Sequence, residues 1–487
     1  MIQLRPIPRF AIVGHPNKGK SSLVATLSQD DSVAISALSG TTRSNHCYPM
    51  KVDGEVLYEL IDTPGFQRSR AALQWMEQRS VSPADRFDVV RAFLEAHQND
   101  PKFEAECYLL KPVIEGAGVL YVVDGSLPYS SEYYCEMEIL RWTGRPRMAL
   151  INRIGSENYA EQWQRALSQY FSIVRQFNAQ SADFKQQIQL LSGFSELDEG
   201  WYEPLNQAVT ALRNQRSYRL NQSAWHISAM VNEMLVLKIE SQCKSDDLKK
   251  DATNAITERH ESRFREQLRE IERACRRRIE TLYSYQNLST EEDQIDLYNE
   301  DLFSKVNWDF FGLTKKQLVA AGAISGAAAG GGIDLMLGGA SLMAVTGASA
   351  VIGGLTALFG GKDIARVLKL DKRSKTHYLT VGPIKNLSFP YVVLGRAIFH
   401  HSVIARRTHA QRHAARLIAS GQLDIPYQNS NRKQLAAIFA KMRGAKKNNE
   451  KLTALLSNHV SEILHQAMDQ ISSNDDSSTP SSNSGTK

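Results

Sequence analysis

The residues best suited to chemistry in this chain of 487 residues form one short run near its start. The run reads Gly14-His15-Pro16-Asn17-Lys18-Gly19-Lys20-Ser21, followed by Ser22. It matches G-x-x-x-x-G-K-[ST], in which backbone N–H groups surround a phosphate and the lysine adds a positive charge. The apolar run before it, residues 10–13, predicts a buried strand, and the pattern after it predicts a helix whose N-terminus faces the phosphate. The sequence therefore predicts a phosphate-binding loop.

Two later segments carry groups that suit the same kind of site. Thr42 lies in a polar loop, residues 38–43, where its hydroxyl is able to close over Mg²⁺ and a terminal phosphate. The run Asp62-Thr63-Pro64-Gly65 follows an apolar strand, residues 57–61. A carboxylate at the end of a strand holds a magnesium-bound water, and a following glycine N–H contacts the γ-phosphate. Both segments predict a nucleotide bound with Mg²⁺.

The elements that must position these groups alternate between short apolar strands and helical patterns over residues 1–215, as in an open α/β sheet. Helical patterns at 68–79 and 83–98 fill the long connection that follows Gly65. That connection is either a switch element or a packed insertion. The predicted strands are 9–13, 47–52, 56–61, 118–123, 147–152 and 188–192.

These motifs resemble one branch of the P-loop GTPases. G-x-P-N-x-G-K-S-S, then G-T-T-R, then D-T-P-G is similar to the Era/TrmE/septin-type branch of the translation-factor-related class, over residues 1–215. The resemblance implies an α/β P-loop G domain, with a mostly parallel sheet and helices on both faces, that binds GTP or GDP. It also implies that the loop 14–22 binds the phosphates, chiefly through Lys20, together with residues 62–65. Ser21, Thr42 and Asp62 would then hold Mg²⁺.

The resemblance further implies a slow GTPase. Phe66 follows Gly65 where a glutamine would orient the attacking water, and enzymes with a hydrophobic residue there hydrolyse slowly alone. Asn17 either binds a K⁺ ion, as its equivalent does in several relatives, or hydrogen-bonds the loop backbone. The implied catalytic residues are Asn17, Lys20, Thr42 and Gly65.

The base-reading part departs from the family pattern. Asn152-Arg153-Ile154-Gly155 stands where N-K-x-D is expected. Asn152 is able to tie the base loop to the phosphate loop, and the stem of Arg153 to cover a purine face. Gly155 has no carboxylate for the N1–H and N2–H₂ donors of guanine, and unmet buried donors cost about 1–3 kcal/mol each. Ser192-Gly193 resembles the family's S-A-[KL] loop, whose N–H groups contact the base.

Charge and hydropathy divide the rest of the chain. The net charge is +6, but residues 362–470 carry 19 Lys/Arg against 6 Asp/Glu, which favours an anionic partner there. Five separated cysteines indicate neither disulfides nor structural zinc. The predicted domains are a GTPase domain (1–215), a helical stalk without strands (216–315), a Gly/Ala-rich hydrophobic hairpin (316–361), a basic, mainly α-helical C-terminal domain (362–471) and a disordered tail (472–487).

The hairpin is the second unusual segment. Gly322, Gly326 and Gly330 repeat every fourth residue, a spacing that lets helices approach closely in membranes, while Asp334 is the single charge within 317–361. The segment either associates with a membrane, aided by the basic region after it, or packs as a helical hairpin in a globular domain. Together with the F-P-Y-V-V-L-G-R-A run at 389–397, it resembles a bacterial GTPase family with a C-terminal helical region of unassigned function.

The C-terminal region begins with short strands around a turn within 376–389 and continues in helices at 390–418, 431–443 and 448–471. The helix after Pro390 is predicted to present a basic face to solvent or lipid. His409 and His413 share that face, but no carboxylate or cysteine completes a metal site. The basic residues of this face are Arg396, His400, His401, Arg406, Arg407, His409, Arg412, His413 and Arg416.

The sequence as a whole predicts a Mg²⁺-dependent GTPase that acts as a nucleotide switch at the cytoplasmic face of a bacterial membrane, with a homodimer through the G domain as a further expectation. Two alternatives stay open. The first is a nucleotide-binding scaffold with negligible hydrolysis. The second is an Era-like RNA or ribosome factor, although no RNP-type aromatic motif or KH-type loop appears.

Overall fold

The structure is a computed structural model. Three predicted features lie wholly or almost wholly outside the residues it describes, namely Thr42, the hairpin 316–361 and the pair His409 and His413. The chain divides into two compact units, Met1–Arg216 and a second that begins at Ser217. The described residues are 7–28, 45–52, 54–155, 157–177, 184–243, 250–283, 301–304, 307–308, 311–313, 317–318, 364–371, 376–406, 429–445 and 447–477.

The first unit is built on a six-stranded sheet in the order β2-β3-β1-β4-β5-β6. β2 runs antiparallel to β3, and the other neighbours are parallel, so the predicted mostly parallel α/β sheet is confirmed. The central strand β4 is buried along its whole length because helices cover both faces. The strands are β1 (Arg9–Val13), β2 (His46–Val52), β3 (Glu55–Asp62), β4 (Gly118–Asp124), β5 (Arg147–Asn152) and β6 (Ile173–Phe177).

Helices pack against the two faces of this sheet and create two separate apolar cores. One face is covered by helices α2 to α6, and the other by α1, α7 and the first part of α8. The helices of this unit are α1 (Lys20–Ser28), α2 (Ser69–Glu77), α3 (Arg86–His97), α4 (Glu104–Ile114), α5 (Glu132–Trp142), α6 (Ala160–Leu167), α7 (Phe184–Ser195) and α8 (Glu199–Val236), the last of which crosses into the second unit.

The strand predicted at 188–192 is wrong. These residues lie inside α7, whose buried face packs on the sheet. A short apolar run satisfies a buried helix face as well as a strand, so periodicity did not separate the two. The sixth strand is instead β6, a half-exposed edge whose charged and polar positions weakened its apolar signal.

The second unit is mainly helical around one apolar core and a small antiparallel sheet, ordered β7-β9-β8. Strand β7 corrects the prediction that residues 216–315 contain no strand. It carries Glu240 and Gln242 on one side and Ser241 on the other, and it is fixed by pairing with β9, which lies far away in the sequence. The elements are β7 (Ile239–Cys243), α9 (Lys250–Leu282), β8 (Ile364–Asp371), β9 (Thr376–Ile384), α10 (Phe389–Arg406), α11 (Asn429–Gly444) and α12 (Glu450–Ser477).

Two features of these helices differ from expectation. Helix α9, within the region predicted as a helical stalk, carries many charged residues but is not exposed all round, since Phe264, Leu268, Cys275 and Ile279 lie in the core. Helix α12 continues to Ser477, six residues into the predicted disordered tail. A helix that is already nucleated propagates at low cost, which explains the extension past its last core contacts. Among the described residues, no helix is long and apolar enough to cross a bilayer.

The basic face predicted on α10 is wrong where the structure describes it. Arg396, His400 and His401 are buried, not turned to solvent or lipid. Arg396 Nε donates to Glu272 Oε1 at 2.8 Å, and His400 Nε2 lies 3.4 Å from Glu280 Oε1. Glu272 and Glu280 of α9 therefore face Arg396 and His400 of α10, a pairing between distant segments that charge counting along one helix cannot reveal.

Candidate nucleotide site

The carboxyl ends of three parallel strands bring polar side chains to one edge of the large sheet. Asp62 ends β3, Asp124 ends β4 and Asn152 ends β5, and the last two are register partners. Ligands of open α/β sheets bind outside this edge. The loop 14–19, which follows β1 between β3 and β4, opens at the same edge.

The phosphate loop has a backbone shape that its sequence makes accessible. Gly14, Asn17 and Gly19 have φ values of 142°, 62° and 82°. Glycine adopts such angles without strain, and asparagine is among the few other residues that do so readily. A β-carbon on Gly14 would lie 2.4 Å from the carbonyl oxygen of Val122, so the loop also needs glycine for close approach to β4.

Lys20 stands at the first turn of α1 with its ammonium held inside the loop. Its Nζ donates to the carbonyl oxygens of His15 at 3.0 Å and Gly14 at 3.4 Å. Burial lowers the pKa of Lys20 to about 8, although the negative charges of Asp62 and Glu136 partly oppose that shift. The lysine is thus desolvated and aimed across the loop, where a phosphate would supply the charge it lacks.

Ser21 and Asp62 form the pair best suited to Mg²⁺. The Ser21 hydroxyl donates to Asp62 Oδ2 at 2.9 Å, and only 3% of Asp62 is exposed. Hydroxyl and carboxylate oxygens are the hard ligands that Mg²⁺ takes beside phosphate oxygens. The residues present therefore fit the metal. The predicted third ligand, Thr42, lies outside the described residues.

The segment 63–66 is packed tightly against the phosphate loop. Thr63 Oγ1 donates to the carbonyl of Ile12 at 2.7 Å, and the Phe66 N–H donates to the carbonyl of Gly14 at 3.3 Å. A β-carbon on Gly65 would lie 2.6 Å from the nitrogen of Pro16, so only glycine fits. The Phe66 ring is 1% exposed and packs in the core. It lies with apolar side chains rather than in the site.

Asn152 joins the base side of the site to the phosphate loop. Its Nδ2 donates to the carbonyl of Lys18 at 3.1 Å. Arg153 is half-buried and follows Asn152 at the edge, while Gly155 is exposed. The space beside Gly155 is already taken, since a β-carbon there would lie 3.0 Å from Ser126 Oγ.

Ser192 and Gly193 are not at this edge. They lie in α7, where Gly193 is buried with Met148 against it and the Ser192 carbonyl accepts from Ser195 Oγ. The prediction of a base-contacting loop at these residues is therefore wrong. The segment after β6 is 178–183, which includes a Ser-Ala pair in its sequence and lies outside the described residues. Placing the last strand correctly would have pointed to that pair.

Sequence reasoning missed a buried acidic group beneath the loop. Glu136 on α5 accepts from Tyr121 OH at 2.8 Å and lies 2.9 Å from His15 Nδ1. His15, predicted as a phosphate-loop residue, is therefore tied to the protein through its ring. The signal was available, because Glu136 falls at helical spacing from the apolar Tyr133 and Leu140 on the buried face of α5.

A second missed residue is Glu106 on α4. Its carboxylate is fully buried and Oε1 accepts from the N–H groups of Gln67 at 2.8 Å and Arg68 at 2.5 Å. Helix α2 starts at the next residue, so the carboxylate holds the two amides that directly precede the helix and lies near its N-terminus, where negative charge is stabilised. Glu106 thereby fixes the chain directly after Phe66 to the helical connection α2–α4.

Comparison with known proteins agrees with this geometry. Residues 164–471, more than half of the chain, match the family described as Domain of unknown function (DUF3482). The chain belongs to that family. Residues 9–132 match a second family, described as 50S ribosome-binding GTPase. The protein is thus a P-loop GTPase domain of the Era/Der type followed by a DUF3482 region.

The individual relatives match only the first part of the chain. GTPase Der of Agathobacter rectalis is 39% identical over 103 residues, which are 20% of this chain and 23% of that protein. GTPase Der of Herminiimonas arsenicoxydans is 36% identical over 118 residues, 23% of this chain and 26% of that protein. The chain therefore spans about a quarter of the length of the curated relatives it matches.

Among solved structures, an Era protein of Aquifex aeolicus bound to GDP and AlF₄⁻ matches with 18% identity and a TM-score of 0.27. The match covers 39% of this chain and 57% of that one. A structure of Era in complex with MgGDPNP and nucleotides of 16S ribosomal RNA matches with the same identity and TM-score.

Proposed function

We propose that this protein binds GTP with Mg²⁺, hydrolyses it slowly, and uses the change of nucleotide as a switch. The observation that supports this most is the grouping of Lys20, Ser21 and Asp62 at the carboxyl edge of the sheet. Lys20 is desolvated within the loop, and Ser21 and Asp62 are 2.9 Å apart. A triphosphate supplies the negative charge that this arrangement lacks, and its Mg²⁺ polarises the γ-phosphate when bound.

The residues divide into positioning and binding roles. The loop 14–19, Lys20 and Ser22 bind the phosphates, and Ser21, Asp62 and Thr42 would hold Mg²⁺. Gly65 offers its N–H to the γ-phosphate, with Thr63 and Pro64 fixing its position. Asn152 and Arg153 would bind the base.

The slow hydrolysis that we propose follows from the identity of the residue after Gly65. Phe66 lies in the core, so it supplies no polar group to orient an attacking water. Asn17 is exposed at the loop, and no hydrogen bond of its side chain to another described residue occurs. That favours its role as a K⁺ ligand over its role as a brace of the loop. A bound cation there would supply positive charge next to the transferring phosphate.

The test is hydrolysis of GTP by the full chain under single-turnover conditions with Mg²⁺, in K⁺ and in Na⁺. The wild type is expected to turn over slowly and faster in K⁺, and Asn17→Ala to lose only the K⁺ stimulation. Lys20→Ala is expected to abolish turnover, with Lys111→Ala, an exposed lysine, as the control. Turnover equal to background in the wild type would contradict hydrolysis and leave the nucleotide-binding scaffold.

The proposed site of action is the cytoplasmic face of a membrane. This rests on the apolar stretch 316–361 and on the 19 Lys/Arg against 6 Asp/Glu in the region after it. Arg396, His400 and His401 are buried, so they do not contribute to the basic surface on which this proposal depends. Recovery of the native protein in membranes that resist high salt would support membrane action, and complete release would contradict it.

A ribosome-associated role is the second candidate. The family matched by residues 9–132 is described as ribosome-binding, and the basic C-terminal region provides cations for phosphates. Co-sedimentation with ribosomes that depends on GTP, from the same fractionation, would favour it.

A homodimer through the G domain is a separate proposal, for which light scattering of the nucleotide-bound chain gives the mass directly.

A further inference from the structure

The base side of the site contains an oxygen close to the position where the family pattern would place a carboxylate. Gly155 has no side chain, and the nearest atom to a β-carbon built there is Ser126 Oγ, at 3.0 Å, followed by Ser126 Cβ at 3.1 Å. Ser126 lies two residues after Asp124, the last residue of β4. Asp124 pairs with Asn152, the last residue of β5, and the segment 153–155 follows directly. The Ser126 side chain therefore occupies space that a side chain at position 155 would need.

The hydroxyl of Ser126 is held in one orientation. It donates to Asp124 Oδ1 at 2.6 Å, and the Ser126 N–H donates to the same oxygen at 3.0 Å. Asp124 in turn lies 4.0 Å from the ammonium of Lys18, whose carbonyl accepts from Asn152. A hydroxyl carries one hydrogen. Because that hydrogen points to Asp124, the oxygen presents only lone pairs to the space beside Gly155.

We propose that Ser126, oriented by Asp124, is the base-reading acceptor of this site and gives it a preference for guanine. The proposal rests on the proposed binding of GTP. Guanine offers N–H donors at N1 and N2, whereas adenine offers no N–H at those two positions, so an acceptor-only oxygen discriminates between them. One neutral oxygen accepts more weakly than a carboxylate, because charge-assisted bonds are about twice as strong. The preference for guanine is therefore expected to be modest.

The test measures the affinity of the full chain with Mg²⁺ for GTP, ITP and ATP by competition against a fluorescent GTP analogue. Ser126→Ala is expected to weaken GTP by about 3- to 10-fold, the value of one hydrogen bond, and to leave ATP unchanged. ITP has N1–H but no N2 amino group. A loss for ITP equal to that for GTP places the contact at N1, and no loss for ITP places it at the amino group. Ser130→Ala, an exposed serine nearby, is the matched control.

Substitutions that move the acceptor from position 126 to position 155 test the same proposal. Gly155→Asp alone is expected to weaken GTP because its β-carbon meets Ser126. Ser126→Gly with Gly155→Asp clears that space and moves a carboxylate acceptor into it, so preference for GTP over ATP is expected to exceed that of the wild type. This variant also decides the matter if Ser126→Ala does not fold.

Failure of the Ser126 proposal and failure of the proposed GTP binding give different results. GTP binding that requires Lys20, with equal changes for GTP and ATP in Ser126→Ala and no gain in the double variant, overturns the role of Ser126 alone. Wild-type chain that binds none of the three nucleotides overturns the proposed function and this inference together.

Discussion

The two units of the molecule bury polar side chains in different ways. In the first unit a group of them, Asp62, Asp124 and Asn152, lies at the ends of strands along one edge of the sheet. In the second unit they pair with one another between helices, as with Glu272, which accepts from Arg396 at 2.8 Å and Arg276 at 3.0 Å. Polar groups placed at an edge are available to a ligand, whereas groups paired inside a core fix how helices pack. The chemistry is therefore expected in the first unit.

The largest effect is expected from the edge group Asp62. Asp62→Ala removes the carboxylate that accepts from Ser21, and with it one of the two proposed Mg²⁺ ligands that lie among the described residues. Loss of a metal contact costs several kcal/mol in the transition state, so hydrolysis should fall about 1,000-fold, or ~4 kcal/mol. Single-turnover rates at saturating Mg²⁺ provide the measurement.

Asp88→Asn, at an exposed helix position, is the matched control and should leave the rate unchanged. The unfolding temperature of Asp62→Ala, measured alongside the rate, reports separately on whether the variant folds as the wild type does. A variant that keeps its rate would show that the edge does not hold the metal.

The paired group Glu272 should act on stability and not on hydrolysis. Burial opposes ionisation of Glu272, but the charges of Arg276 and Arg396 outweigh it and lower its pKa. Glu272→Gln leaves Arg396 buried without its counter-charge. Breaking a buried pair in this way costs about 3 kcal/mol or more. Calorimetric unfolding of the full chain should show the second unit melting earlier, with Glu270→Gln, an exposed glutamate on the same helix, as the control.

The pH dependence of this difference has a definite sign. Because the folded-state pKa of Glu272 is lowered, the carboxylate stabilises the fold above its unfolded-state pKa of about 4.3, and this contribution is lost as the pH falls through the folded-state value. The gap between wild type and Glu272→Gln should therefore be full at neutral pH and should shrink below about pH 4. A constant gap across that range would mean that the charge of Glu272 is not the stabilising feature.

The contrast also explains what the sequence alone could predict. The phosphate loop, Asp62 and Asn152 were identified because each lies within a few residues of the strand that positions it, so local pattern was sufficient. Strand β7 and the buried His400 were missed because partners more than a hundred residues away determine their environment. Ser192 was misplaced because β6, and not the run 188–192, pairs with β5, and the local apolar pattern does not reveal that pairing.

Glu106 tests whether the helical connection α2–α4 responds to the site. Its buried carboxylate accepts from the N–H groups of Gln67 and Arg68, just after the proposed γ-phosphate contact. Glu106→Ala should expose both amides, and hydrogen exchange there should rise about 10-fold, equivalent to ~1.4 kcal/mol. Glu106→Gln keeps an acceptor oxygen and should restore most of the protection.

Exchange at these amides that is the same in all three proteins would assign the connection a packing role only. Protection that increases when GTP is bound, and does so less in Glu106→Ala, would connect the site to the helices physically. This outcome would separate a switch element from a packed insertion, the two alternatives that the sequence left open.

The smallest effect is expected at a neutral hydrogen bond in the second unit. Asn232 Nδ2 donates to Thr453 Oγ1 at 2.8 Å and also to the carbonyl of Asn449 at 3.1 Å, which joins α8 to α12. Thr453→Val keeps the shape of the side chain and removes the first acceptor, together with the hydroxyl's own donation to the carbonyl of Asn449 at 3.2 Å. Because the second acceptor remains, the free energy of unfolding should fall by about 1 kcal/mol, less than for Glu272→Gln. Thr210→Val, at an exposed position of α8, is the control. A loss as large as that of Glu272→Gln would mean that the neutral Asn232–Thr453 bond stabilises this core as much as the charged Glu272–Arg396 pair does. That result would contradict the expected order of the two effects.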